Sequence, residues 1–165
     1  MRSVCRADAA HFLPGFGDDA FMRFMTRGAF ASEDELAEWL LDTDWGGRTW
    51  IAQPLGGGAP VCRMIARADT PGVCEIGYFT VPGLQRQGIA RECVAALIDH
   101  LFRAEKHHRI WADIDPENRA SNGLVERLGF TREAHLRDAI ETHIGWRDAY
   151  IWGLLASEWS AAQSQ

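Results

Sequence analysis

Residues 73–115 constrain the fold more than any other segment of the chain, because they read as a strand, a long helix and a second strand. VCEIGYFTV at 73–81 and HRIWADID at 108–115 are short runs rich in β-branched and aromatic residues. Between them, residues 87–104 repeat apolar side chains at helical intervals. A strand that returns to its own sheet through a helix is parallel to the first strand, with a right-handed crossover. The segment therefore predicts one parallel strand pair.

Two further strand-like runs precede this segment, and two follow it. RTWIAQP at 48–54 and PVCRMIAR at 60–67 predict an antiparallel meander with the first strand of the crossover. FTREAHLRD at 130–138 and WRDAYIWGLL at 146–155 predict an antiparallel pair. No helix and no lysine follow the triple glycine at 56–58, so these glycines indicate a hairpin tip rather than a phosphate-binding loop.

Two more helices carry clear end signals. SEDELAEWLLD at 32–42 opens with Ser32 and Glu35 in the spacing of a capping box, and its apolar residues recur at helical intervals. NRASNGLVERLG at 118–129 predicts a helix that is closed by Gly129.

The N-terminal region predicts shorter helical pieces. Asp8 is placed to cap a helix that runs to Phe12, and DDAFMRFM at 18–25 predicts a second one. Pro14 and the glycines beside it interrupt the pattern. We therefore expect a loose, helical entry into the fold.

The formal net charge is −6 at pH 7, which limits the class of partner. Binding to a nucleic-acid backbone needs a basic surface, so the composition excludes that partner and suits a cationic one better. Many acids occur before the first long strand, where a solvated surface would explain them equally well. They are Asp18, Asp19, Glu33, Asp34, Glu35, Glu38, Asp42 and Asp44.

The cysteine and histidine patterns predict neither a metal site nor a disulfide framework. Cys5, Cys62, Cys74 and Cys93 lack the C-x-x-C spacing of metal ligands, and no H-E-x-x-H pattern occurs. No signal-peptide pattern precedes them, and no apolar run approaches the roughly 20 residues of a membrane span. These observations predict a cytoplasmic protein with reduced thiols and no membrane partner.

The turn that leads into the crossover helix, GLQRQGIARECV at 83–94, is more polar than a simple connection requires. The first backbone N–H groups of a helix have no intrahelical partner, and the helix dipole favours an anion there. Gly88 allows close approach, and Arg86 and Arg91 add positive charge. The pattern predicts an anion site; the alternative is a loop whose glycine only satisfies backbone geometry.

Several stretches resemble the GNAT superfamily of N-acyltransferases, and in particular its RimJ/RimL-like branch, which acetylates protein N-termini and other amines. Gln85-x-x-Gly88-x-Ala90 is similar to the acyl-CoA pyrophosphate loop of this family. EIGYFTVPGLQRQGIARECVAALIDHLF, DPENRASNGLVERLGFTREAHLRD and GWRDAYIWGLLASEW resemble successive motifs of the branch. The resemblance covers residues 48–159 and continues more weakly back to Asp8.

The resemblance implies an α/β (α+β) fold, the GNAT fold, as a single domain over 1–159 with a disordered tail at 160–165. Its sheet would be mixed, mostly antiparallel and twisted, of about seven strands. One parallel pair would splay apart, and helices would flank both faces. Acetyl-CoA would lie in the splay.

The resemblance also implies which residues hold acetyl-CoA. The pyrophosphate would lie on the backbone of the turn, the pantetheine arm would pair with the end of strand 73–81, and Asn118 and Ser121 would approach the thioester. Many relatives carry glycine where this chain has Arg86. The implied cofactor-binding residues are Phe79, Thr80, Val81, Gln85, Arg86, Gln87, Gly88, Ile89, Ala90, Arg91, Asn118 and Ser121.

The implied reaction is direct attack of a neutral amine on the acetyl thioester in a ternary complex, with CoA as the product. A base must first take a proton from the ammonium group, and Glu75 is the first candidate; a salt-bridged strand carboxylate is the alternative for it. Ser121 is the family-matched proton donor to the leaving thiolate. Tyr150 is a second candidate, because relatives commonly have tyrosine where Trp152 stands and alternation keeps both on one face.

The acceptor is predicted to be a primary amine, either a protein N-terminus, a polyamine or an amine-bearing small molecule. The competing hypothesis is a non-catalytic acyl-CoA-binding module that senses the cofactor. Such a module would keep the turn at 85–90 but would need neither Glu75 nor Ser121. Exposed edge strands also raise the expectation of a homodimer.

Overall fold

The sheet is built around the strand that precedes the glycine turn. The computed structural model describes residues 1–162, and in this part the strands are β1 (Arg2–Ser3), β2 (Gly47–Ala52), β3 (Cys62–Thr70), β4 (Val73–Thr80), β5 (Arg109–Ile114), β6 (Thr131–Thr142) and β7 (Gly145–Leu155). They form one seven-stranded sheet in the order β1-β2-β3-β4-β5-β7-β6. Neighbouring strands are antiparallel, except that β4 and β5 are parallel as predicted.

β4 and β5 are paired only where both strands begin. The register joins Val73 with Arg109 and Glu75 with Trp111, and beyond this point the two strands continue without pairing to each other. Their outer partners, β3 and β7, hold them along different directions, and the twist of each strand widens the separation. A V-shaped gap therefore opens in the middle of the sheet.

The helices that connect and cover these strands are α1 (Ala9–Phe16), α2 (Asp19–Met22), α3 (Glu33–Leu41), α4 (Ile89–Asp99), α5 (Arg119–Arg127) and α6 (Ala156–Ala162). A π-helical turn over His100–Ala104 extends α4. Ser32 caps α3 by accepting a hydrogen bond of 3.2 Å from the Glu35 N–H, as the capping pattern predicts. Gly129 follows α5 with φ +90°, a conformation that favours glycine.

The N-terminal region is more regular than predicted. α1 runs through Pro14 to Phe16 instead of ending near Phe12, because Phe12 and Phe16 lie on one face and are both fully buried. Their burial outweighs the backbone hydrogen bond that Pro14 removes. Asp8 also makes no side-chain cap to α1; its carboxylate accepts hydrogen bonds from the Arg2 side chain and the Cys5 N–H.

Two apolar clusters lie on opposite faces of the sheet. One packs α4, α5 and α6 against the even-numbered residues of the central strands, among them Met64, Ile76 and Ala112. The other packs α1, α2 and α3 against β2 and the end of β4. Helices therefore flank both faces, and the residues of β4 alternate between the two clusters.

The chain after β7 differs from the sequence-based expectation. α6 begins directly after the last strand, and Trp159 is buried and donates a hydrogen bond of 2.7 Å to Asp99 on α4. Residues 160–162 of the predicted tail belong to this helix, and residues 163–165 lie outside the described part of the chain.

Candidate functional site

The turn between β4 and α4 holds an unusual backbone conformation. Gly83 and Gly88 have φ of +81° and +84°, and Arg86 has φ +62°. Glycine adopts such a left-handed conformation more readily than arginine does. Arg86 adopts it although it has a Cβ, so the turn is fixed by other contacts.

Two glutamine side chains supply those contacts. Gln85 accepts a hydrogen bond of 2.9 Å from the Gly83 N–H and donates one of 3.4 Å to the Thr80 carbonyl. Gln87 donates one of 3.0 Å to the Gly83 carbonyl. Both side chains therefore bind the turn itself, which leaves the backbone of the turn in a defined shape.

The N-terminus of α4 is open. Gly88 is its N-cap and carries no capping side chain, and a Cβ built on Gly88 would meet no atom within 4 Å. The first N–H groups of a helix and its dipole favour an anion in such a space. Arg86 and Arg91 are exposed beside it. A pyrophosphate group fits this combination of room, backbone donors and positive charge.

A linear ligand has a strand edge available next to this turn. Past Glu75, the side of β4 that faces β5 has no strand partner, whereas the other side is paired with β3 up to Thr80. The predicted residues Phe79, Thr80 and Val81 lie where β4 ends, and Val81 donates a hydrogen bond of 3.0 Å to the Val61 carbonyl. An extended arm can pair with such an edge as an additional strand does.

A cleft of about 400 Å³ lies at the V-shaped gap. Its walls come from both faces of the sheet. Tyr78 and Ser121 belong to the face that carries α4 and α5, and Glu75 and Phe79 to the face covered by the N-terminal helices. The cleft therefore connects the two faces through the sheet, and a ligand on one face can meet a ligand on the other.

Asn118 and Ser121 lie together at the start of α5 on the cleft wall. The Asn118 side chain accepts a hydrogen bond of 3.2 Å from the Ser121 N–H, so it is the N-cap of this helix. The Tyr78 hydroxyl donates one of 3.3 Å to the Ser121 carbonyl, and burial raises the pKa of Tyr78 to about 12. These contacts fix the start of α5 against β4.

Tyr150 does not reach this cleft. It lines a separate groove with Arg132 and Trp152, and its ring packs edge-on against His135 at 5.0 Å between centroids. Trp152 lines the same groove, as expected from the alternation that keeps Tyr150 and Trp152 on one face. Trp152 is held there by a hydrogen bond of 2.8 Å to the Asn122 side chain.

Carboxylates dominate the wall of the cleft that faces the N-terminal helices. Glu75 forms an ion pair of 2.8 Å with Arg67. A salt-bridged strand carboxylate was the alternative prediction for this residue. Asp113 lies on β5, on the same face, two residues beyond the partner of Glu75. Burial raises the pKa of Asp113, against a backbone hydrogen bond and the charge of Arg67.

The cleft wall as a whole is acidic. Its lining residues include five carboxylates and two guanidinium groups, a formal charge of −3: Asp42, Glu75, Asp113, Asp115, Asp148, Arg63 and Arg147. Arg147 is paired with Asp115 at 2.8 Å. Asp113 and Arg63 were not singled out from the sequence, because a charged residue in a strand usually indicates a solvated face. Only the packing of the N-terminal helices turns that face into a cleft.

We also searched the described residues for a metal site and for a membrane-spanning helix. Residues 1–162 contain no cluster of three or more histidine, cysteine or acidic side chains able to hold a metal ion. Among the same residues, no helix combines the length and apolar character needed to span a bilayer.

The acetyltransferase (GNAT) domain family matches residues 1–131, and the chain belongs to this family. An 87-residue segment is 32% identical to the [ribosomal protein uS5]-alanine N-acetyltransferase of Escherichia coli (strain K12), covering 53% of this chain and 45% of that protein. An 86-residue segment is 33% identical to the uncharacterized N-acetyltransferase YnaD of Bacillus subtilis (strain 168), covering 52% and 51%. The chain thus spans about half the length of the curated relatives it matches.

Solved structures with this fold cover almost the whole chain. A GNAT-family acetyltransferase from Bacillus anthracis has a TM-score of 0.86 at 24% identity, over 95% of this chain and 94% of that one. Spermidine N-acetyltransferase from Vibrio cholerae, in complex with CoA and spermine, has a TM-score of 0.83 at 20% identity, over 96% of both. The predicted fold class is confirmed.

Proposed function

We propose that the protein is an acetyl-CoA-dependent N-acetyltransferase that acts on a primary amine. The observation that carries this proposal is the cleft at the V-shaped gap, with Ser121 and carboxylates on its walls. An open helix N-terminus follows β4, the strand that forms one wall of the cleft. Membership of the GNAT family supports it. Acetyl-CoA supplies an activated acetyl thioester, and the residues of this chain bind, orient and move protons around it.

The proposed cofactor site, at the turn that follows β4, is built from backbone. In this proposal, the N–H groups of Gln87, Gly88, Ile89 and Ala90 hold the pyrophosphate, and Arg86 and Arg91 add charge. The free edge of β4 at 79–81 orients the linear arm of the cofactor. Gln85 and the Gln87 side chain act indirectly, because their hydrogen bonds keep the turn in shape.

A carboxylate takes the proton from the acceptor ammonium group. Glu75 and Asp113 lie on the same face of the diverging strands, with Arg67 close to both. We favour Asp113, because burial in the cleft wall raises its pKa towards the range of a general base and because a hydrogen bond from Arg67 already occupies Glu75. Glu75 then holds Arg67 in place, and its role as the base stays a prediction to be tested beside Asp113.

The leaving thiolate needs a proton donor on the opposite side. Ser121 lines the cleft at the start of α5, and we propose that its hydroxyl serves this role. Asn118 fixes the first turn of the helix and thereby the position of Ser121. Tyr150 has no part in the proposed reaction, because it lies in a separate groove.

The acidic wall supports a cationic acceptor. A formal charge of −3 on the cleft wall attracts an ammonium group before it loses its proton. Similarity to the E. coli ribosomal-protein alanine N-acetyltransferase favours a peptide N-terminus and a place near the RimJ/RimL-like branch. Polyamines and amine-bearing small molecules are the other acceptors to test.

The cysteines and the edge of the sheet bear on location and assembly. We propose that the protein acts in the cytoplasm, because all four cysteines are free thiols. We also propose a homodimer, because β6 forms a long exposed edge of the sheet. Light scattering on the purified protein measures the mass directly, and a monomeric mass would contradict the second proposal.

A free-thiol assay tests the proposed activity. Acetyl-CoA is incubated with amines, peptides and polyamines, and CoA release is followed for the parent, Asp113→Asn and Ser121→Ala. Release that depends on an amine and falls in both variants supports the enzyme. CoA binding without release from any amine favours the sensor module, which needs neither residue.

A further inference from the structure

Arg63 is a buried charge in the cleft wall that makes no ion pair with the described residues. Asp8 and Arg63 are the buried charged side chains in the described part of the chain, with 2% and 7% of their surface exposed. Asp8 is matched by the Arg2 guanidinium, which donates hydrogen bonds of 2.8 and 2.5 Å. In contrast, Nε of Arg63 has no hydrogen-bond partner among the described residues. Burial lowers the pKa of Arg63 to about 10, and no carboxylate of residues 1–162 opposes this effect.

The surroundings of Arg63 position its guanidinium without neutralising it. Arg63 lies on β3 opposite Phe79, and its guanidinium carbon is 4.4 Å from the centre of the Trp39 ring. Stacking on an aromatic ring offsets part of the cost of burial and fixes the plane of the group. The side chain also lines the cleft, so the group can be reached from the cleft.

An unpaired buried charge costs stability, and proteins rarely keep one without a partner. The described chain supplies no such partner for Arg63, although carboxylates line the same cleft. Arginine binds a carboxylate through two parallel hydrogen bonds, and a stacked guanidinium is already oriented for this. A carboxylate brought by a ligand would therefore complete the site.

We infer that Arg63 binds a carboxylate of the acceptor, so that the acceptor carries both a primary amine and a carboxylate. This inference rests on the proposed function. Arg63 is opposite Phe79, four residues along β4 from Glu75, or roughly 13 Å at the usual rise of a strand. The amine therefore lies at the Glu75 and Asp113 end, and the carboxylate is several bonds away from it.

Matched acid and amide pairs test this inference. We would measure kcat/KM for 6-aminohexanoate against 6-aminohexanamide, and for glycylglycine against glycylglycinamide. The parent should prefer the acid of at least one pair by about tenfold or more. Arg63→Met should remove that preference by raising KM for the acid, and should leave the amide within about twofold. Equal rates for acid and amide in the parent, or an equal fall of both in Arg63→Met, would overturn the inference.

Two further variants serve as controls for this experiment. Arg132 also stacks on an aromatic ring, at 4.5 Å from the centre of Tyr150, but lies outside the cleft. Arg132→Met should leave both members of each pair unchanged. Arg63→Lys keeps the charge but lacks the planar guanidinium, so it should retain part of the preference for the acid over the amide. It replaces Arg63→Met in the test if Arg63→Met does not fold.

A binding experiment separates failure of this inference from failure of the proposed function. If no amine releases CoA, the proposed function is wrong, and calorimetry with 6-aminohexanoate decides the role of Arg63. Binding to the parent that is lost in Arg63→Met would sustain a carboxylate site. No binding to the parent, or equal binding to the variant, would overturn it.

Discussion

The proposed cofactor site and the acceptor side of the cleft are built from different parts of the chain. The cofactor side consists of backbone: a turn with left-handed residues, an open helix N-terminus and the free edge of β4. The acceptor side consists of charged side chains from β3, β4 and β5, covered by the N-terminal helices. A backbone site depends on a local pattern in the chain, whereas a side-chain site depends on which distant elements pack together. The cofactor side should therefore be sensitive to shape and the acceptor side to charge.

The largest effect should come from filling the cofactor side. Gly88→Trp would place a ring in the open space at the start of α4 and should lower turnover with every acceptor by at least about 100-fold. Gly57 is a matched control, because its φ is +86° and its added Cβ also meets no atom within 4 Å, but it lies in the loop between β2 and β3. Gly57→Trp should keep full activity at a similar cost in stability. Equal losses in both variants, measured by thiol release, would show that only folding was affected.

The next effect should come from the proposed base on the acceptor side. Asp113→Asn should lower kcat by about 10²- to 10⁴-fold while CoA binding is kept. Because burial raises the pKa of Asp113, activity of the parent should decline as pH falls through that raised pKa, at a higher pH than for an ordinary aspartate. The pH–activity profile of Asp113→Asn should lack this decline, which we call the acid limb. If Glu75→Gln removes the limb and Asp113→Asn keeps it, Glu75 is the base instead.

The raised pKa of Asp113 also predicts that Asp113→Asn is more stable than the parent near neutral pH. A carboxyl group that binds its proton more tightly in the folded state contributes stability at low pH, and this contribution is lost as pH rises through the folded pKa. Asp113→Asn should therefore melt at a higher temperature than the parent near neutral pH, and the difference should shrink in acid. Thermal melts across that pH range measure it; a parent that is more stable than the variant at neutral pH would contradict the account.

A smaller effect concerns the stability contributions of the two buried charged residues, Asp8 and Arg63. Arg2→Met should destabilise the fold by about 1–3 kcal/mol, because it leaves the buried Asp8 carboxylate with the Cys5 N–H as its remaining donor. Arg63→Met should cost nothing or add stability, because it removes a charge that has no partner in the described chain. Urea unfolding of both variants compares them directly. A large loss in Arg63→Met would mean that Arg63 serves the fold rather than a ligand.

This difference between the two sides also explains what the sequence could predict. The crossover, the turn at 83–94 and the helix that starts after Asn118 follow from local spacing, so the parallel strand pair and the turn proposed to hold the cofactor could be predicted from the sequence. Asp113 and Arg63 were not, because alternation in a strand does not tell which face will be covered. α1 and α6 were misjudged for the same reason, since burial of Phe16 and Trp159 against distant elements decides their extent.

One measurement tests most directly whether the two sides form a single cleft. A conjugate in which the CoA sulfur is joined through an acetyl carbon to the nitrogen of 6-aminohexanoate would occupy both sides at once. Calorimetry should show that the parent binds it at least about tenfold more tightly than CoA, and that Arg63→Met loses this gain while its affinity for CoA is unchanged. If the parent binds the conjugate no more tightly than CoA, the two sides are not joined through the sheet as described.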